Sequence, residues 1–247
     1  MPVPEALTPI DAQQQIAAGS DIVVVPYSSY MEQDGSVRLS IFSEMTTLAA
    51  AALHREAGAH QTRIIAVGEQ TYGVDHPSTT DLMYDLLQRE RIPDRALPEQ
   101  RPNGANATPQ QIEWLKRKFS GAWADRPPVL VGHEHHWDRI HRLCDVFSLP
   151  ADFVDASAVL ERAGKLKPEF AAAVAAYQTE GRAYEQGAAV LTRIVAPLGE
   201  GATLGLFRTM VRARTPTVVD VFQSADGRTH LYATTVREHL QAIGRAA

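Results

Sequence analysis

Cysteine is almost missing from the 247 residues: Cys144 stands alone, so no intrachain disulfide and no multi-cysteine metal site is possible, as suits a reducing compartment. Excess positive charge is missing too. Twenty-four Lys and Arg face 29 Asp and Glu, a formal net charge of −5 without a basic stripe, which argues against a nucleic-acid surface. No apolar run approaches bilayer length, and residues 1–7 lack both the positive region and the apolar core of a secretion signal. A cytoplasmic, soluble, globular protein is the expectation, with no nucleic-acid or membrane partner. Several motifs are also absent. There is no Gly-x-Gly-x-x-Gly turn after the first strand, no Gly-x-x-x-x-Gly-Lys-Ser/Thr loop and no Gly-x-Ser-x-Gly elbow, which disfavours nicotinamide, P-loop nucleotide and serine-hydrolase chemistry.

What is present concentrates at residues 129–144. Pro127 and Pro128 forbid a helix from upstream, Val129, Leu130 and Val131 suit a strand buried on both faces, and Gly132 ends it. A helix is predicted over 137–147, because Ile140, Leu143, Cys144 and Phe147 recur at helical spacing and give it one apolar face. Cys144 on that face reads as a buried spacer rather than a nucleophile. His133, Glu134, His135, His136 and Arg139 then fall at the carboxyl end of a strand and the first turn of a helix, where open α/β sheets form ligand crevices.

Similar units surround this one. An amphipathic helix is predicted over 8–18 with Ile10 and Ile16 inward, then a buried strand at 21–25 and a polar loop at 27–36 with a turn at Asp34 and Gly35. A long alanine-rich helix follows over 39–57, anchored by Phe42, Met45 and Leu48 and ended by Gly58. A second strand is expected at 63–67 and a helix at 79–91 opened by a capping box from Ser78 to Asp81. A short strand at 96–100, a loop at 101–107, a helix started by Thr108 and Pro109, and a strand at 152–155 complete the alternation. The fold class this predicts is α/β: a Rossmann-like, mostly parallel sheet with helices on both faces, over residues 1–155. Residues 156–247 read as a mainly helical region packed on it, with helices at 158–163, 168–177, 182–195 and 201–212, a hairpin at 217–234 and a terminal helix opened by Thr235 and Glu238.

Four polar loops leave or approach the carboxyl edge of such a sheet: 26–38, 68–77, 102–107 and 132–139. Their backbone amides can hold an anion, and Arg38 or Arg139 can neutralise it. The candidate ligand contacts are Ser28, Arg38, Gly68, Asn103, Asn106, His133 and Arg139. His136 is the candidate proton carrier, with Glu69 or Glu134 as a carboxylate to assist it. The run of histidines also invites a metal, but it lacks the i, i+4 pair with an intervening glutamate, so no metal ligands are assigned.

The order of segments resembles the bacterial family that includes YdcF, SanA and ElyC. An early hydrophobic strand (22–25) is followed by Arg38 and a helix, then a strand ending at Gly68, a helix leading to Ile92 and Pro93, an Asn-Thr-x-Glu-Asn-like loop at 106–111, and a strand leading to His136 and Arg139 as a His-x-x-Arg piece. The resemblance spans about residues 21–154. Glu69 stands where relatives often continue with glycine, and glutamines stand where the family carries an acidic residue after Thr108. The resemblance implies a Rossmann-like sheet with a ligand pocket and makes S-adenosylmethionine a candidate ligand. The expected function is that of a small-molecule enzyme, a transferase or hydrolase, or a binding protein for a nucleotide-like or phosphorylated ligand. Two alternatives stay open: a non-catalytic metabolite-sensing or interaction module with a self-associating helical half, and a metal-dependent hydrolase.

Overall fold

The computed structural model describes residues 5–25, 29–31, 35–58, 62–68, 75–97, 108–180, 197, 199–201, 218–223 and 229–234. Four short parallel strands form its main sheet: β1 (Ile22–Val24), β4 (Ile64–Ala66), β5 (Val129–Gly132) and β6 (Asp152–Asp155), in the order β4-β1-β5-β6. Ile22 aligns with Ile64 on one side and with Val129 on the other, and Leu130 aligns with Phe153. Because strand side chains alternate between faces, Ile22, Val24, Ile64 and Val129 enter one apolar layer while Val23, Val25, Ile65 and Leu130 enter the other. Uninterrupted hydrophobic runs are what a strand covered on both faces requires.

The first layer is completed by α1 (Pro9–Ala17), α2 (Ile41–Ala57) and α3 (Thr79–Arg89), together with α6 (Ala156–Arg162) and α7 (Pro168–Glu180); the second by α4 (Thr108–Trp123) and α5 (Trp137–Val146). Helix α2 is the spine of the first layer. It is buried almost all round, and Ala49, Ala50 and Ala51 are completely enclosed, which lets neighbouring elements approach its backbone closely. Ser40 caps its start by accepting from the Ser43 amide, and Gly58 ends it at φ 59°, a left-handed conformation that costs glycine nothing. The α/β class predicted from the sequence is therefore the observed one. No linker separates β6 from α6, and Val159, Leu160, Phe170 and Tyr177 join the same apolar layer as α2.

Several local expectations are corrected. Ile10 is 52 % exposed, because the buried stripe of α1 runs through Ala12 and Ile16, and six residues of helix place Ile10 about 120° away from Ile16. The stretch read as a loop at 27–36 contains β2 (Ser29–Met31), paired antiparallel with β3 (Val37–Leu39); three residues are too few to show an alternation. Ala96 belongs to a 3-10 turn over Asp94–Ala96 rather than to a strand. The C-terminal hairpin is present as β7 (Val218–Gln223) against β8 (Thr229–Thr234). The helix expected at 182–195, nearly all of that at 201–212, and the terminal helix after 235 lie outside the described residues. Among the described residues no helix is long and apolar enough to cross a membrane.

Both edges of the sheet are partly covered. On β4 the outward Ala66 amide donates to the Tyr84 hydroxyl at 3.1 Å, and the Gly68 amide donates to Thr80 Oγ1 at 2.7 Å, both from α3. Gly68 is required there for space, since a Cβ would lie 2.7 Å from Thr79 Cβ and 2.9 Å from the Thr80 nitrogen. On β6 the Phe153 carbonyl accepts from the Leu7 amide at 2.7 Å.

Asp21 closes the amino end. Its carboxylate accepts from the Arg63 amide and guanidinium and, at 2.8 Å, from the Trp123 indole, while its carbonyl accepts from the Val129 amide. One residue thus ties the entrances of three strands to α4.

Candidate functional site

The sheet order sets the location. The chain leaves β1 for β4 on one side and returns as β5 on the other, so the order reverses at the β1–β5 pair, and the helices that follow these strands lie on opposite faces. A crevice forms where two such connections diverge, at the carboxyl ends of the strands. The loop out of β5 is the histidine cluster. His133 keeps an extended backbone, residues Glu134–His136 make one 3-10 turn closed by the His136 amide on the His133 carbonyl at 2.8 Å, and α5 begins at Trp137. Gly132 admits this course because a Cβ there would lie 2.9 Å from the Phe153 ring, which in turn stacks on Trp137 at 4.3 Å.

His133 points toward α2. It is 1 % exposed, its Nε2 lies 3.3 Å from the Phe42 carbonyl, and the ring meets the Phe42 ring edge to face. A carbonyl can only accept, so Nε2 carries the proton. Burial pushes the pKa of His133 down to about 4, against the opposing pull of the Asp155 carboxylate and the Phe42 carbonyl. His133 is therefore neutral at physiological pH.

His135 lies between the His133 ring, at 5.6 Å, and Tyr177 of α7, at 4.2 Å. Phe42 also meets Tyr177, at 5.2 Å, so α2, α7 and the histidine loop share one aromatic cluster. His136 is 4 % exposed and its Nε2 lies 2.8 Å from Nη2 of Arg139, which is half-buried. The predicted pair is thus brought together by one turn of helix.

The other candidates fare differently. Glu134 is exposed, and it is held by its backbone amide, which donates to Asp155 Oδ2 at 2.9 Å. Arg38 is exposed on β3, opposite Tyr30. Gly68 has its amide on Thr80 and its Cα pressed against α3, a packing role. Ser28, Glu69, Asn103 and Asn106 lie outside the described residues. Asp138 receives Arg142 at 3.0 Å, one turn along α5. Among the described residues no three His, Cys, Asp or Glu side chains gather closely enough to hold a metal ion.

Sequence reasoning missed Asp155, Phe42 and Tyr177 as parts of this corner. Asp155 Oδ1 caps α6 by accepting from the Ala158 amide at 3.0 Å, while Oδ2 fixes the histidine loop. The signal was available as an Asp immediately before a helix, although a cap alone does not say that its second oxygen reaches a neighbouring strand. The approach of Phe42 and Tyr177 is tertiary and leaves no local pattern. A half-buried guanidinium beside imidazole rings can donate to an anion. No family model, curated protein or solved structure matches the chain significantly.

Proposed function

We propose that this chain is a small-molecule enzyme or binding protein whose crevice, at the carboxyl ends of β1 and β5, takes a nucleotide-like or phosphorylated ligand. The observation that carries the reading is the Arg139–His136 pair, a half-buried guanidinium beside a buried imidazole at the point where the strand order reverses. Arginine matches phosphate and carboxylate geometry with parallel donors, and a site partly shielded from water strengthens each bond. The likeness to the YdcF, SanA and ElyC family, with its His-x-x-Arg piece after the corresponding strand, supports the same corner and keeps S-adenosylmethionine among the ligands to try.

Within this reading a non-catalytic sensor is the second possibility: among the described residues Asp155 accepts from two backbone amides, Asp138 receives Arg142, and Glu134 is exposed. Turnover as a transferase or hydrolase would then need a further group from the ligand or from another loop. The test is a thermal-shift screen of adenine nucleotides, S-adenosylmethionine and phosphorylated sugars, followed by calorimetry of the best ligand on His136→Ala and Arg139→Ala. Loss of the Arg139 guanidinium is expected to remove about 1.5–3 kcal/mol, or about ten- to a hundredfold in affinity, while the fold survives. Equal affinity of both variants and wild type would move the site elsewhere.

A further inference from the structure

Helices α2 and α3 are capped by the serines that precede them: Ser40 accepts from the Ser43 amide and Ser78 from the Asp81 amide. The histidine loop takes its cap from a neighbouring strand instead. Asp155 ends β6 and stands opposite Gly132 in the register of β5 with β6, at the point where the loop begins. Its Oδ2 accepts from the Glu134 amide at 2.9 Å, the first amide of the 3-10 turn, while its Oδ1 accepts from the Ala158 amide at 3.0 Å in the first turn of α6. One side chain thus caps two helical segments that follow adjacent strands. The contact with Glu134 runs through the backbone, and the Glu134 side chain is exposed. A separate element meets the loop further on, where the Tyr177 ring of α7 lies 4.2 Å from that of His135.

We infer that Asp155 is the positioning residue of the histidine loop: by holding the Glu134 amide it fixes the path along which His136 and Arg139 reach the proposed crevice, and it does so only as a carboxylate. Both of its partners are N–H donors. A carboxylate presents an acceptor on each oxygen, whereas a carboxamide presents one acceptor and turns its own N–H groups toward the second donor. Asparagine caps a helix as well as aspartate does, so in Asp155→Asn the single oxygen serves α6 and the amide nitrogen faces Glu134. The two duties are therefore separable: the start of α6 needs one oxygen, and the loop needs the other. This assignment rests on the crevice proposed above and adds a residue that shapes it from the next strand without touching the ligand.

Amide hydrogen exchange of the full chain, resolved at Glu134 and Ala158 by NMR, tests the assignment together with calorimetric titration of inorganic phosphate. Asp155→Asn and Asp155→Ser are compared with wild type; serine also caps a helix with one oxygen, but it aims no amide at Glu134, so agreement of the two variants removes repulsion by the new side chain as the cause. In both, the Ala158 amide is expected to exchange as in wild type, the Glu134 amide about tenfold faster or more, and phosphate to bind about tenfold more weakly, since a loosened loop no longer presents its groups in one geometry. Glu134 exchange at the wild-type rate in both variants overturns the assignment, and so does release of Ala158 together with Glu134, which would make Asp155 a structural cap only. Unchanged phosphate affinity in a variant whose Glu134 amide alone is released also overturns it, and leaves the crevice standing. If wild type shows no saturable phosphate binding, or Arg139→Ala binds phosphate equally well, the crevice falls and the assignment falls with it.

Discussion

His133 and Cys144 lie near the two ends of one loop-and-helix segment, and burial acts on them in opposite directions. The charged form of a histidine is the protonated one, so enclosure drives His133 down to about 4; the charged form of a cysteine is the thiolate, so enclosure, helped by Asp145, pushes Cys144 up to about 12. Cys144 is 4 % exposed among Leu143, Phe147 and Phe153. In native protein at pH 8 a thiol-specific disulfide reagent should leave it unmodified for hours, and denaturant should release one thiol per chain at once. Rapid native labelling would show a reactive thiol and contradict the packing. The apolar spacing of the helix made this role legible in the sequence. The tautomers of His133 and His136 were not, because each is set by a partner, the Phe42 carbonyl or the Arg139 guanidinium, that only folding or a helical turn supplies.

At the scale of elements, the carboxyl ends of the strands carry the candidate chemistry and the amino ends carry the anchoring. Asp21 receives Arg63 and Trp123, the Arg63 guanidinium lies 4.9 Å over the Phe119 ring, and Phe119 stacks on Trp123 at 5.0 Å. Asp21→Ala is expected to cost about 2–4 kcal/mol, because it strands a buried indole N–H and a strand amide, although the half-exposed Arg63 recovers part of its hydration. Urea unfolding of the variant checks this, and a cost under half a kcal/mol would show the brace to be idle. Strands and helices were largely legible, because doubly covered strands print unbroken apolar runs and α3 and α5 print one-sided ones. The Asp21 brace was not legible, since its members Arg63 and Trp123 are neighbours only after β1, β4 and α4 have assembled.

For the molecule as a whole, the buried His133 ties stability to pH. Above its ordinary value of 6.5 the imidazole is neutral both folded and unfolded, so its contribution is complete; as pH falls toward about 4 the unfolded chain takes up a proton that the fold refuses. The loss should reach the order of 3 kcal/mol by pH 4. Glu90 adds to it in stronger acid: burial raises its pKa, but Arg55 and Lys165 outweigh that and hold the carboxylate below its ordinary range. The melting temperature should therefore be nearly level from pH 7 to 9 and fall steadily below 6.5, and a level profile down to pH 4.5 would contradict a neutral buried His133. The covered groups at the sheet edges have a consequence for company rather than for folding. A β-strand with bare amides is a template for another chain, and here the Tyr84 and Thr80 hydroxyls accept from the Ala66 and Gly68 amides at one border while the Leu7 amide donates to the Phe153 carbonyl at the other. Tyr84→Phe is expected to cost about 1–2 kcal/mol by orphaning the Ala66 amide, and light scattering on warming should then find that variant clumping earlier than wild type, at protein concentrations where the parent chain stays dispersed.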